Sequence, residues 1–190
     1  MDIETKTDRR ILKTKKAITE AFLELFSDKE IEQITINEIA ERANVNRGTV
    51  YLHYTDKYDL LNQCINEHLN KMFIYCKDNG MNPENSNMFH MLEIIFTYFQ
   101  KNYMFFSSML SSKTTIEFRE RMLQFIVSNI NEKINAQKTK HEMDTELLTQ
   151  FLASAFVGTV EWWIVNKMPH SPQYMAENLG RLFEKQGYLP

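Results

Sequence analysis

Apolar residues recur along this chain every three to four positions, the period of an amphipathic helix; no stretch alternates every second residue as a half-buried strand would. Ile11, Ile18, Phe22 and Leu25, widened by Ala21 and Phe26, predict a first helix from about Arg9 to Phe26, with Lys13 and Lys16 on its outer face. The polar stretch 27–33 interrupts the pattern. Thr35 then opens a short second helix through a capping box with Glu38, and Ile36, Ile39, Ala40 and Ala43 form its inward face. Asn44 stands where the chain must turn, since Asn tolerates a left-handed backbone. Val45 is an apolar plug, and Asn46 caps a third helix from Arg47 to about His53 whose inward positions are Val50 and Tyr54. Asp56 and Asp59 supply the cap and first-turn acid of a long fourth helix with the stripe Leu60, Leu61, Cys64, Ile65, Leu69 and Met72.

The stretch 77–87, with Gly80, Pro83 and several Asn, is the clearest break. Beyond it, Ser86 caps a helix of Met88, Met91, Leu92, Ile95, Phe96 and Phe99, followed by an apolar run from Tyr103 to Leu110. Thr114 or Thr115 starts a helix carrying Phe118, Met122, Phe125, Ile126, Ile130 and Ile134, which the polar run 136–142 ends. Asp144 opens a helix to about Asn166 whose expected interior is Leu148, Leu152, Ala155, Phe156, Thr159, Trp162 and Trp163. Pro169 lies in the break after it, and Ser171 with Pro172 starts a last helix ending near Gly187. The expected fold is all-α, with a smaller N-terminal helical unit over residues 1–67 and a larger helical body over 68–190.

Composition changes this picture little. Only five Gly and four Pro in 190 residues favour helices, and 43% hydrophobic with 25% charged residues is ordinary for a globular chain. The formal net charge of −3 argues against a polyanion as partner. The signs are unevenly spread, however. Lys6, Arg9, Arg10, Lys13, Lys15 and Lys16 crowd the N-terminus against Asp8, either a footprint for phosphates or a solvated basic tail. Cys64 and Cys76 lack CxxC spacing and occupy apolar helix positions, so both are expected reduced and buried. No signal sequence opens the chain, and Ser154, Gly158, Thr159 and Glu161 interrupt its greasiest run, which predicts a cytoplasmic protein without a membrane partner.

The chemistry concentrates between Thr35 and Lys57. A short helix, a tight turn and a second short helix with polar outward positions form the pattern of a helix-turn-helix, whose second helix enters the major groove with its N-terminal residues against base edges. Here those residues are Asn46, Arg47, Gly48 and Thr49. Arg47 offers a fork for a guanine or a phosphate, and Thr49 can meet a base edge or a thymine methyl. Gly48 is costly within a helix, which points either to a closely approaching partner or to a tolerated defect. Tyr51 and His53 lie where hydroxyl and imidazole reach phosphates, although His53 also suits an ordinary surface position. Thr35 and Lys57 each start a flanking helix.

The run Thr35-Ile-Asn-Glu-Ile-Ala-Glu-Arg-Ala-Asn-Val-Asn-Arg-Gly-Thr-Val-Tyr-Leu-His-Tyr-Thr-Asp-Lys-Tyr-Asp-Leu resembles the DNA-binding segment of the tetracycline-repressor (TetR) family, with its Ala-Gly-Val-Ser-Lys-Gly-Thr core and Tyr-x-His-Phe-x-x-Lys stretch. Asn44 stands where the family usually has Gly, Tyr54 where Phe is usual, and Asn46 and Arg47 where Ser and Lys are common. Carried over position by position, the resemblance implies DNA contacts at Thr35, Asn46, Arg47, Gly48, Thr49, Tyr51, His53 and Lys57. It also implies an effector-responsive repressor, bound as a homodimer to a palindromic operator in double-stranded DNA, with the fourth helix coupling body to reading helix.

The resemblance further implies that the last two long helices pair with their copies in a second subunit, and Phe151, Ala155, Gly158 and Trp162 are compatible with that interface or with a plain core. Phe96, Phe99, Tyr103, Phe106, Phe125 and Trp162 either line a pocket for a small apolar effector or form core at helical spacing. The five His residues form no metal-ligand spacing, and there is neither a phosphate loop nor a nucleophile elbow, so no cofactor and no enzyme activity is expected. The competing reading of the same fold is a co-regulator that acts mainly through another protein.

Overall fold

The computed structural model describes residues 2–79, 87–111, 115–137 and 144–185, which contain nine α-helices and no strand. Residue contacts divide the chain into a unit of residues 1–68 and a unit of residues 69–190.

In the first unit, α1 (Asp2–Asp28) begins well before Arg9, because neither Gly nor Pro interrupts the chain there. Its inward stripe nevertheless starts only at Ile18, and Ile11 is exposed. A single turn of 3-10 helix (Ile31–Gln33) leads to α2 (Ile36–Arg42), α3 (Arg47–Tyr51) and the first turns of α4 (Lys57–Asp78). Ile18, Phe22, Ile34, Ile39, Val50 and Leu60 are fully buried and form the core of this unit. The unit boundary falls within α4, whose expected stripe from Leu60 to Met72 is buried throughout.

The second unit holds the rest of α4 with α5 (Met88–Lys101), α6 (Tyr103–Ser111), α7 (Thr115–Gln137), α8 (Thr145–Val165) and α9 (Pro172–Lys185). Asn87 caps α5, accepting from the Phe89 amide at 2.9 Å; the expected cap Ser86 lies outside the described residues, as do Gly80, Pro83, Thr114 and residues 138–143. Asp144 caps α8 as expected, and the Ser171 hydroxyl accepts from the Tyr174 amide at the start of α9.

Helix α5 packs along α9, where Gly180 lies against the Phe89 ring. Leu148, Leu152, Phe156, Val160 and Trp163 turn α8 inward, and it packs on α6 and α7. The expected interior assignment of Trp162 is corrected: the side chain is 48% exposed, one position round the helix from the fully buried Trp163. By length and composition α8 is the one described helix apolar enough to cross a membrane, and half of that stretch is buried within the protein. Cys64 and Cys76 are both buried, and burial pushes the Cys76 thiol up to about 11.

Candidate nucleic-acid interface

The start of α2 is built by the reciprocal capping anticipated for Thr35 and Glu38. The Glu38 amide donates to Thr35 Oγ1 at 3.2 Å, while the Thr35 amide and hydroxyl both donate to Glu38 Oε2 at 2.9 Å. The Lys29 ammonium sits 2.6 Å from Glu38 Oε1, and it, with the Thr35 donors, holds the Glu38 carboxyl down at about 2. Both polar groups of Thr35 are therefore engaged within the cap. An approaching phosphate would meet the first amides of α2 itself, since the leading N–H groups of a helix lack intrahelical partners.

Ala43 ends α2, and Asn44 takes the left-handed conformation at φ 51°. The Val45 amide closes the turn on the Ala40 carbonyl at 2.9 Å. Asn46 occupies the cap position of α3 through its carbonyl, which accepts from the Thr49 amide at 2.8 Å; its side chain makes no capping bond, contrary to expectation, and projects from an exposed residue. The helix is also shorter than expected. It ends at Tyr51, and Leu52 and His53 continue in turns closed on the Gly48 and Val50 carbonyls.

Val50 is fully buried and Tyr54 nearly so, which pins one side of α3 to the core. At 100° per residue, Arg47 and Tyr51 then lie on one flank, Thr49 and His53 on the other, and Gly48 and Leu52 opposite Val50. Arg47 and Tyr51 are a pair one turn apart, with Nη2 donating to the hydroxyl at 3.3 Å and the guanidinium 5.5 Å from the ring centroid. His53 is half-buried, edge-on to Tyr54 at 6.3 Å. Nothing lies within 4 Å of where a Gly48 side chain would begin. Leu52, which sequence reasoning passed over, is 80% exposed.

Lys57 has a role that no local pattern indicated. Its ammonium donates to the Glu32 and Ile34 carbonyls, both at 2.9 Å, and so ties the start of α4 to the segment that precedes α2. An ammonium has three donors, so one remains for a phosphate. Asp56 accepts from the Tyr58 and Asp59 amides, while Gln63 and the Thr55 amide hold the Asp59 carboxyl below its usual range. The candidate interface is thus a set of short elements fixed by caps, with Asn46, Arg47, Gly48, Tyr51 and Leu52 exposed.

In the second unit, Phe96, Phe99 and Phe106 come together fully buried, with Phe99 and Phe106 edge-to-face at 4.6 Å and Phe96 against Trp163 at 5.2 Å. Tyr103 and Phe125 are half-buried, and Phe125 is edge-on to Phe73 at 6.5 Å. Trp162 lies beside His170 instead, at 6.3 Å, and His170 stacks on Tyr174 at 4.3 Å. Leu147, Phe151, Trp162 and Val165 form an exposed apolar stripe on α8, interspersed with half-buried Ala155 and Gly158; on α9, Tyr174 and Leu182 are exposed. A separate open groove of about 550 Å³ is lined by Val127, Asn131, Thr145, Glu146, Thr149 and Gln150.

Comparison with known proteins gives two family matches: bacterial regulatory proteins of the tetR family over residues 18–64, and the C-terminal region of transcriptional regulators over residues 86–185, more than half of the chain. A curated relative, the HTH-type transcriptional regulator YxbF of Bacillus subtilis, is 22% identical over 97% of this chain and 48% of its own length, so the chain spans about half of that relative. Among solved structures, a TetR transcriptional regulator from Streptococcus agalactiae is 25% identical with a TM-score of 0.65, covering 94% of this chain and 98% of that one. The regulator FadR from Bacillus subtilis, solved with stearoyl-CoA, is 19% identical with a TM-score of 0.60, covering 87% and 95%.

Proposed function

The chain belongs to the TetR family of DNA-binding transcriptional regulators, and from that premise we propose that it is a cytoplasmic homodimeric repressor that holds a palindromic operator until an apolar effector enters its helical body. One observation carries this reading. With Val50 and Tyr54 buried, α3 presents Arg47, Gly48 and Tyr51 outward from a rigidly capped frame, as a helix must to reach base edges. Residues 1–67 read DNA in this proposal, and residues 68–190 dimerise and respond. Arg47, Thr49 and Asn46 address bases, whereas Tyr51, His53, Lys57 and the amides behind Thr35 address phosphates.

The exposed stripe of Phe151, Trp162 and their neighbours on α8, with Ala155 and Gly158 leaving room for close approach, supports a face that a second copy covers. Dimerisation would place two reading helices about 34 Å apart, one turn of DNA. For the effector, the buried rings of Phe96, Phe99 and Phe106, together with half-buried Tyr103 and Phe125, supply the repacking surface, and the likeness to a regulator solved with stearoyl-CoA favours a long acyl chain. Trp162 serves the interface better than the pocket.

The test is selection of bound sequences from a random duplex pool at low salt, with R47A and Y51A variants beside the native protein and sedimentation to establish the assembly state. Recovery of a palindrome that both variants lose supports the proposal. A folded dimer that enriches nothing overturns it in favour of a co-regulator that needs a protein partner before it has DNA affinity.

A further inference from the structure

We infer that Leu52 is a specificity-determining residue that reads the 5-methyl group of a thymine in each operator half-site. Leu52 is the most exposed large apolar side chain among the described residues, at 80%. It is not on a scattered surface position. Because Val50 faces the core, Gly48 and the C-cap residue Leu52, whose backbone keeps the helical conformation (φ -68°, ψ -21°), form the outermost ridge of the reading helix, with Arg47 and Tyr51 on one flank and Thr49 and His53 on the other. A helical side chain covers the surface one position N-terminal of its own Cα and leans towards the preceding turn. The preceding turn on this ridge is Gly48, with no atom within 4 Å of its would-be Cβ, so the space beside Leu52 is open.

A polar-flanked ridge with a glycine and then a bare leucine fits one feature of the major groove. Among the groups displayed there, only the thymine C5-methyl is apolar; the others are hydrogen-bond donors and acceptors that a leucine would leave unpaired. Gly48 lets the backbone approach the groove floor, and Leu52 then covers the methyl while Arg47 and Thr49 take neighbouring polar edges. This inference rests on the DNA-binding proposal but is separable from it.

The experiment runs the random-duplex selection with the native full chain, L52A and L52M, and then measures affinity for the enriched duplex with each selected thymine replaced in turn by deoxyuridine, which lacks only the methyl. Burial of one methyl predicts about a fourfold loss for the native protein when a single thymine position in one half-site is changed, or about fifteenfold when its symmetry mate in the other half-site is changed as well. L52A should bind the thymine and deoxyuridine duplexes alike, and L52M should recover most of the sensitivity. Native circular dichroism for L52A establishes that an exposed truncation leaves the fold intact. If a palindrome is selected but deoxyuridine has no effect, or affects native and L52A equally, the Leu52 inference falls and DNA binding stands. If no duplex is selected, both fall together.

Discussion

Gly48 offers a substitution in which stability and function should move in opposite directions. A glycine within a helix costs up to about 1 kcal/mol relative to alanine, and at Gly48 an added Cβ meets nothing within 4 Å. G48A should therefore raise stability by up to about 1 kcal/mol. Two other helical glycines calibrate that figure. Gly158 is equally open within one chain, but it lies on the face proposed for a second copy, so G158A should gain the same helix propensity and lose part of it through weakened association. At Gly180 a Cβ would lie 2.6 Å and 2.7 Å from the Phe89 ring carbons Cε1 and Cδ1, so an overpacking cost of about 1–3 kcal/mol outweighs the propensity gain. Urea unfolding of all three variants, at one fixed protein concentration because association shifts apparent stability, gives the order. Operator affinity is then measured on the same preparations. The new methyl of G48A stands on the outermost ridge of α3 and holds its backbone away from the groove, and it should weaken binding about tenfold per half-site, or about 1.4 kcal/mol. A G48A protein less stable than native would refute the open-space reasoning, and a stabilised variant that binds operator at native affinity would refute the close approach.

Three further perturbations test the surrounding frame. Asn44→Val should cost about 1–2 kcal/mol because φ is 51° there, whereas Asn44→Gly should be nearly neutral, both read from urea midpoints. Trp163→Phe removes the bond from Nε1 to the His170 carbonyl at 2.9 Å together with part of a fully buried ring; a loss of about 2 kcal/mol is expected, and an unchanged midpoint would show that the bond contributes nothing. Glu38 has its carboxyl lowered from the ordinary 4.5 to about 2, so its contribution to folding is fully present above pH 4.5 and is lost as pH falls towards 2. E38Q should therefore flatten the stability profile between those values, and a native Glu38 carboxyl that titrates near 4.5 by NMR would count against the Lys29 and Thr35 bonds as the cause.

Features of the interface that depend on one or two turns of chain were legible in the residues themselves. The reciprocal cap of Thr35 and Glu38, the left-handed turn at Asn44 and the burial of Val50 and Tyr54 each follow from neighbours within four positions, where backbone geometry leaves few alternatives. The phase of α3 follows from them, and with it the side that Arg47, Gly48 and Tyr51 present. Features that depend on distant partners were not legible. The Lys57 ammonium binds carbonyls more than twenty positions earlier, and no spacing within α4 indicates it. Asn46 has the residue type of a capping side chain, yet its carbonyl alone takes the cap position.

The clearest division falls on α8. Trp162 and Trp163 are adjacent in the sequence, and the helix is apolar on several faces, so periodicity cannot choose which ring turns inward. Packing against Phe96 of α5 accompanies the burial of Trp163 and Phe156, and Trp162 is left outside with Phe151. Helix identity and phase are local properties that 3.6-residue periodicity and caps carry. Which of two apolar faces is core and which remains open to a partner is settled only by the elements that pack against them.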